Sequence, residues 1–125
     1  MLCRGITPIL AHIERYEYLL KDVFRGEWGF NGTVISDSGA IGELLAHGSA
    51  SERDEAAQQA LNAGIDVDMS SMCYTENLEE SVKFGKISED VLNESVRRIL
   101  RLKFALGLFE NPYTDETLGE KVFLC

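Results

Sequence analysis

The chain has 125 residues, enough for one modest domain with its own core. Hydrophobic residues make up 45%, a globular composition, and the net charge of −9 argues against nucleic acid or an anionic membrane as partner, since both need a basic face. No apolar run approaches the roughly 18 residues of a membrane-spanning helix.

The first ten residues, Met1 to Leu10, are too short and too interrupted for a signal peptide, so the expected location is cytoplasmic. Within them Ile6 to Leu10 reads as a strand, with Pro8 placing it at an edge or a strand start. Cys3, Cys73 and Cys125 are odd in number and widely spaced, and free thiols are expected. His12 and His47 lack an i, i+4 partner, so the sequence offers no metal ligand set.

Apolar residues at 19, 20, 23 and 24 predict a helical face over Tyr18 to Phe24, ended by Gly26. Asn31-Gly32 then supplies a turn into Thr33-Val34-Ile35-Ser36, a β-branched run that predicts a short strand buried on both faces. Asp37 follows where that strand ends. A carboxylate at the carboxyl end of a buried parallel strand is where α/β enzymes place their chemistry. From position alone, an Asx turn or helix cap is the favoured reading of Asp37.

Ser51 is the expected cap of a helix carrying Asp54 at its third position, with Ala56, Ala57, Ala60 and Leu61 as the buried face and Gly64 as the stop. Ile65 to Met69 predicts a second strand, with Asp66 and Asp68 on one side and Val67 on the other, so that strand, helix and strand have the length of a βαβ unit. The two aspartates could form a metal or acid/base pair, but a structural role is the expectation. Met69, Met72 and Tyr74 fall in a loop that either contacts a substrate or covers the core.

Thr75 is expected to cap a helix running to about Phe84, stopped by Gly85. Ser88 caps the next, with Ile87 and Leu92 at the staple positions. That last helix runs to about Leu106, its apolar face traced by Val91, Leu92, Ser95, Val96, Ile99, Leu100 and Leu102. Arg97, Arg98, Arg101 and Lys103 load its second half with positive charge and read as a solvated face.

Three blocks resemble glycoside hydrolase family 3, the β-glucosidases and β-xylosidases. They are Leu20-Lys21-Asp22-Val23-Phe24-Arg25-Gly26-Glu27-Trp28-Gly29-Phe30-Asn31-Gly32 with Val34-Ile35-Ser36-Asp37, then Ala60 to Met69, then Val96 to Tyr113. The resemblance implies an α/β fold, a partial (β/α)8 barrel in which 33–36 and 65–69 are the last two strands. Residues 18–110 would be the C-terminal part of the barrel domain. Residues 1–17 are unassigned, and 111–125 would be a linker toward a second domain that is absent here.

By the same resemblance Asp37 falls on the catalytic nucleophile of a retaining β-glycosidase. The family's acid/base glutamate would lie on the absent domain, and Glu43, Glu52 and Glu55 are expected at helix starts and on the surface. Many members carry Trp directly after the nucleophile. Ser38 stands there in this sequence and is the candidate substrate contact, although it cannot stack on a sugar face. No cofactor is implied, because two carboxyl groups suffice for the reaction.

The expected partner is a β-glucoside or oligosaccharide, with self-association through uncovered strand edges and helices as a further expectation. The alternative is a catalytically inert α/β fragment or interaction module. A weaker similarity, over Gly5 to Tyr16, is to a metal-binding block of polymerase-and-histidinol-phosphatase type phosphoesterases, where Pro usually stands in place of Ile13. It implies phosphoesterase activity dependent on His12.

Overall fold

The structure, a computed structural model, describes residues 18–113. The expected strand at Ile6 to Leu10, the histidine His12, Cys3, Cys125 and most of the expected linker therefore lie outside the described residues.

A π-helix, Leu19–Glu27, comes first. It replaces the α-helix expected to stop at Gly26. Its turns are wide enough that the Trp28 N–H reaches back to the Val23 carbonyl, at 2.9 Å, and the chain runs through Gly26 unbroken. Leu20 and Phe24 are its buried side chains, and Phe24 packs on the rings of Trp28 and Phe30.

Four α-helices follow: α1 (Ala40–Ala46), α2 (Arg53–Ala63), α3 (Cys73–Lys83) and α4 (Glu89–Ala105). The helix α2 is central and packs on α1, α3 and α4. Its alanines 56, 57 and 60 are fully buried and let the neighbouring helices approach closely. With Leu20, Ile41, Leu44, Ala50, Ile65 and Cys73 they form the core. Cys73 is a buried free thiol.

After α2, α3 and α4 glycine ends the helix where the sequence places it. Gly64 takes φ 102°, and its N–H with that of Ile65 closes α2 onto Leu61 and Ala60 carbonyls. Gly85 and Gly107 likewise adopt positive φ after α3 and α4. Ser88 caps α4, its hydroxyl accepting from the Asp90 N–H, and Ile87 beside it is buried.

Two expected caps sit elsewhere. Glu52, not Ser51, occupies the cap position of α2, while Ser51 donates both its N–H and its hydroxyl to Glu55, each at 2.7 Å. This carboxylate reaching back is half of a capping box, displaced by one residue. Thr75 lies inside α3, which starts two residues earlier. Its first turn is held instead by Asp68, whose Oδ2 accepts from the Tyr74 N–H at 3.1 Å.

The largest departure concerns the strands. Where two barrel strands are expected, the described residues hold a single parallel bridge, Ile35 to Val67. It consists of Val67 N–H to Val34 carbonyl, 3.1 Å, and Ser36 N–H to Val67 carbonyl, 2.9 Å.

Side chains displace the ladder on both flanks. On the near side a further rung would need the Val34 N–H and the Ile65 carbonyl. The Val34 N–H donates to Asp66 Oδ2 instead, and the Ile65 carbonyl accepts the Tyr74 hydroxyl. On the far side the Met69 N–H goes to the Ser36 hydroxyl, at 2.9 Å, rather than to a backbone carbonyl. The parallel pairing is present, but the regular ladder is one bridge long. Nor is the first segment buried on both faces, since Ile35 is 53% exposed.

Candidate active site

Asp37 lies where the paired segments diverge. Ser36 directly before it is 2% exposed, and Asp37 itself is on the surface. Gly39, at φ 74°, turns the chain into α1 and sends its N–H to the Met69 carbonyl, 2.7 Å away. A side chain at Gly39 would be strained there, because positive φ suits only glycine well. The two segment ends are thereby tied together immediately under the carboxylate.

Of the two carboxylate oxygens of Asp37, Oδ1 accepts the Ser38 N–H at 2.7 Å. The other oxygen has no hydrogen-bond partner among the described residues. The Asx-like contact expected of a turn residue is thus present, and it engages one of the two carboxylate oxygens. Ser38 is exposed beside it, and Met69 and Met72 are exposed on the adjoining loop. That loop holds the two non-glycine residues with positive φ among the described residues, Ser70 at 70° and Met72 at 63°. Strained backbone of this kind clusters at functional sites.

Asp66 and Asp68 are differently placed. The Asp66 side chain is wholly buried. Its Oδ2 accepts from Arg25 Nη2 and from the Val34 N–H, each at 2.8 Å, and its Oδ1 accepts from Arg98 Nε at 2.8 Å and forms an ion pair with Arg98 Nη2 at 2.7 Å. Asp68 holds the Ser71 hydroxyl and N–H with Oδ1 and the Tyr74 N–H with Oδ2. Every oxygen of the pair is committed, which is a structural role.

Arg25 also donates to the carbonyls of Gly32, at 3.1 Å, and Gly64, at 2.7 Å. Burial lowers its pKa from the usual guanidinium value, Asp66 opposes that shift, and the charge of Arg98 adds to it. Burial likewise pushes the Tyr74 phenol well above its ordinary value, with Asp68 and Asp66 reinforcing the effect. Its hydroxyl donates to the Ile65 carbonyl at 2.9 Å, so Tyr74 serves the core and not the loop surface.

Glu43 is exposed in the first turn of α1, and Glu52 and Glu55 flank the start of α2, as expected of helix-start residues. Arg98 does not join the solvated face read for its helix. It turns inward on the side of the buried Ser95, whereas Arg97 pairs with Glu94 outside. Among the described residues no group of three His, Cys, Asp or Glu side chains is placed to hold a metal ion.

Sequence reasoning missed Ser36, Arg25 and Arg98 as parts of the site's support. A signal for Arg98 exists, since Val91, Ser95 and Arg98 share one helical face.

Residues 8–102 match the family model described as the glycosyl hydrolase family 3 N terminal domain. A periplasmic beta-glucosidase from Salmonella typhimurium is 43% identical over 104 residues, covering 83% of this chain and 13% of that protein. A putative beta-xylosidase from Formosa agariphila is 47% identical over 98 residues, covering 78% and 13% respectively. The crystal structure of a beta-glucosidase from Listeria innocua in complex with isofagomine superposes with a TM-score of 0.78 at 46% identity, over 80% of this chain and 14% of that one. The same enzyme has been solved with glucose and, as a mutant, with laminaribiose. The chain thus spans about one seventh of the length of these relatives.

Proposed function

Since the chain belongs to glycoside hydrolase family 3, we propose that it carries the nucleophile of a retaining β-glycosidase, Asp37, acting on β-linked glucosides or xylosides. The observation that supports this most is the unequal use of three carboxylates. Asp66 and Asp68 have both oxygens bound, while Asp37 has one oxygen held by the Ser38 N–H and the other without a hydrogen-bond partner among the described residues. A nucleophile needs an ionised, oriented carboxylate with a free lone pair.

In the reaction, the free Asp37 oxygen attacks the anomeric carbon as the bond to the aglycone oxygen breaks. A carboxyl acid gives that oxygen its proton. The glycosyl ester on Asp37 is then hydrolysed by water, which the same acid, now a base, deprotonates. We assign the acid/base to no residue of this chain, and in this reading it belongs to a further domain. The hydrogen bond from Ser38 and the fixed segment end hold Asp37 for a near-attack geometry. In this reading Ser38, exposed beside Asp37, contacts the sugar as well. Residues 18–110 are read as the end of the barrel domain and 111–125 as the lead toward the next domain.

The test is intact mass after incubation with a 2-deoxy-2-fluoro β-glucoside bearing an excellent leaving group, which needs little acid assistance. A one-sugar adduct on the wild type, absent from Asp37→Ala, is expected. Folded protein that takes no label overturns the nucleophile reading of this chain.

A second reading, an association module, draws on a different observation. On the last helix Val96, Leu100 and Phe104, spaced i, i+4 and i+8 along one face, are all exposed. An uncovered apolar stripe of that length favours self-association.

A further inference from the structure

The hydrogen bonds around Asp37 are out of step with a parallel ladder, and the displacement has one origin. After the Ile35–Val67 bridge, the next rung would send the Met69 N–H to the Ser36 carbonyl and the Ser38 N–H to the Met69 carbonyl. Neither bond forms. The Met69 N–H donates to the Ser36 hydroxyl at 2.9 Å, and the Met69 carbonyl accepts from Gly39, one residue further along, at 2.7 Å.

The Ser38 N–H, released from the ladder, donates to Asp37 Oδ1 at 2.7 Å. The Ser36 hydroxyl spends its own proton on the Asp37 carbonyl, at 2.9 Å, which fixes the peptide plane on which the carboxylate stands. Ser36 is buried, so water does not compete for either bond.

We propose that Ser36 is a positioning residue: its hydroxyl shifts the pairing by one residue and so hands the Ser38 N–H to the Asp37 carboxylate. The catalytic part of this inference rests on the reading of Asp37 as nucleophile. In Ser36→Ala the regular rung becomes available. The Met69 N–H turns to the backbone carbonyl of residue 36, the Ser38 N–H turns to the Met69 carbonyl, and the carboxylate loses its donor. Threonine keeps the hydroxyl and the shifted pairing.

Two readouts on the full chain separate the parts. The first is the amide proton shift of Ser38 in 15N-labelled protein. In the wild-type background, Asp37→Asn is expected to move the Ser38 resonance upfield and leave that of Met69 in place. Ser36→Ala should move both, and Ser36→Thr neither. The second is covalent labelling by the fluoro-glucoside. At saturating reagent the Ser36→Ala rate should fall by about tenfold, the cost of one charge-assisted hydrogen bond, with the half-saturating concentration little changed. Ser36→Thr should restore it.

A Ser38 resonance indifferent to Asp37→Asn overturns the proposal, and it does so even if Ser36→Ala fails to fold. Equal labelling of Ser36→Ala and wild type also overturns it. A wild type that takes no label removes the nucleophile reading, while the amide shifts still decide whether Ser36 directs the Ser38 N–H.

Discussion

Asp66→Asn is the substitution expected to damage the protein most. The buried carboxylate stands between two guanidinium groups whose side chains are each only 15% exposed. It also accepts the Val34 N–H. An asparagine keeps the shape, but it presents one amide nitrogen to donors and removes the single negative charge between two positive ones. Breaking a buried ion pair by removing one partner costs about 3–5 kcal/mol, because the remaining charge is left uncompensated. Here two charges remain, so the upper part of that range applies. A domain of this size is stable by about 5–15 kcal/mol, and the loss corresponds to a Tm lowered by roughly 20 °C.

The triad also predicts an asymmetry. Arg98→Met leaves a neutral Arg25–Asp66 pair and relieves the repulsion that already weighs on Arg25, so it should cost less than half as much as Asp66→Asn. Urea unfolding followed by circular dichroism at 222 nm measures both, with an unchanged slope confirming the same transition. A loss below about 1 kcal/mol for Asp66→Asn, or a larger loss for Arg98→Met than for Asp66→Asn, refutes the reasoning.

Alkaline pH should destabilise the fold through Tyr74. The folded phenol has its pKa raised above the usual 10.0, so stability is fully present below that value. It falls above pH 10 with a slope of one proton, since the unfolded chain ionises first. Tyr74→Phe should make that slope shallower while lowering stability at pH 7 by about 1 kcal/mol through the lost bond to the Ile65 carbonyl. Urea midpoints between pH 8 and 11 test both, and an unchanged slope in Tyr74→Phe would falsify the assignment. On α4, Leu100→Glu places a charge in the exposed apolar stripe and should shift any concentration-dependent association toward monomer without unfolding the helix. Sedimentation velocity reads this, and the association reading fails if wild type and variant sediment alike as monomers.

Much of the helical frame is legible in the sequence because its signals are local. Gly64, Gly85 and Gly107 stop helices through their own backbone freedom, and Ser88 caps α4 through its own hydroxyl. The elements that escape are those decided at a distance. The start of α1 at Gly39 carries no side-chain cap, and its place is set by the bond from Gly39 to Met69, thirty residues later in the chain. The first turn of α3 is held by Asp68, five residues ahead of its first helical residue, so Thr75 is a local signal overruled. The β-branched run at 33–35 announces a strand, and the described residues keep only one parallel bridge of it, Ile35 to Val67. Periodicity cannot reveal that Asp66, Tyr74 and Ser36 take the backbone groups a longer ladder would use. In the candidate site, the sequence points to Asp37 but not to the oxygen-by-oxygen difference that sets it apart.

That difference can be tested on all three aspartates at once. Asp66→Asn should cost the most stability, for the reasons above. Asp68→Asn should cost about 1 kcal/mol, since an amide oxygen still accepts one of the bonds at the start of α3 while the other is lost. Asp37→Asn should change stability by less than about 0.5 kcal/mol, because Asp37 is exposed and, among the described residues, its carboxylate holds only the adjacent Ser38 N–H. Covalent labelling should follow another order, with Asp37→Asn abolishing it and Asp68→Asn, once folded, retaining it. A residue whose loss removes the chemistry and spares the fold behaves as a reactive group. If Asp37→Asn instead destabilises the chain as much as Asp68→Asn, Asp37 is a structural turn residue and the carboxylate ranking drawn from the geometry is wrong.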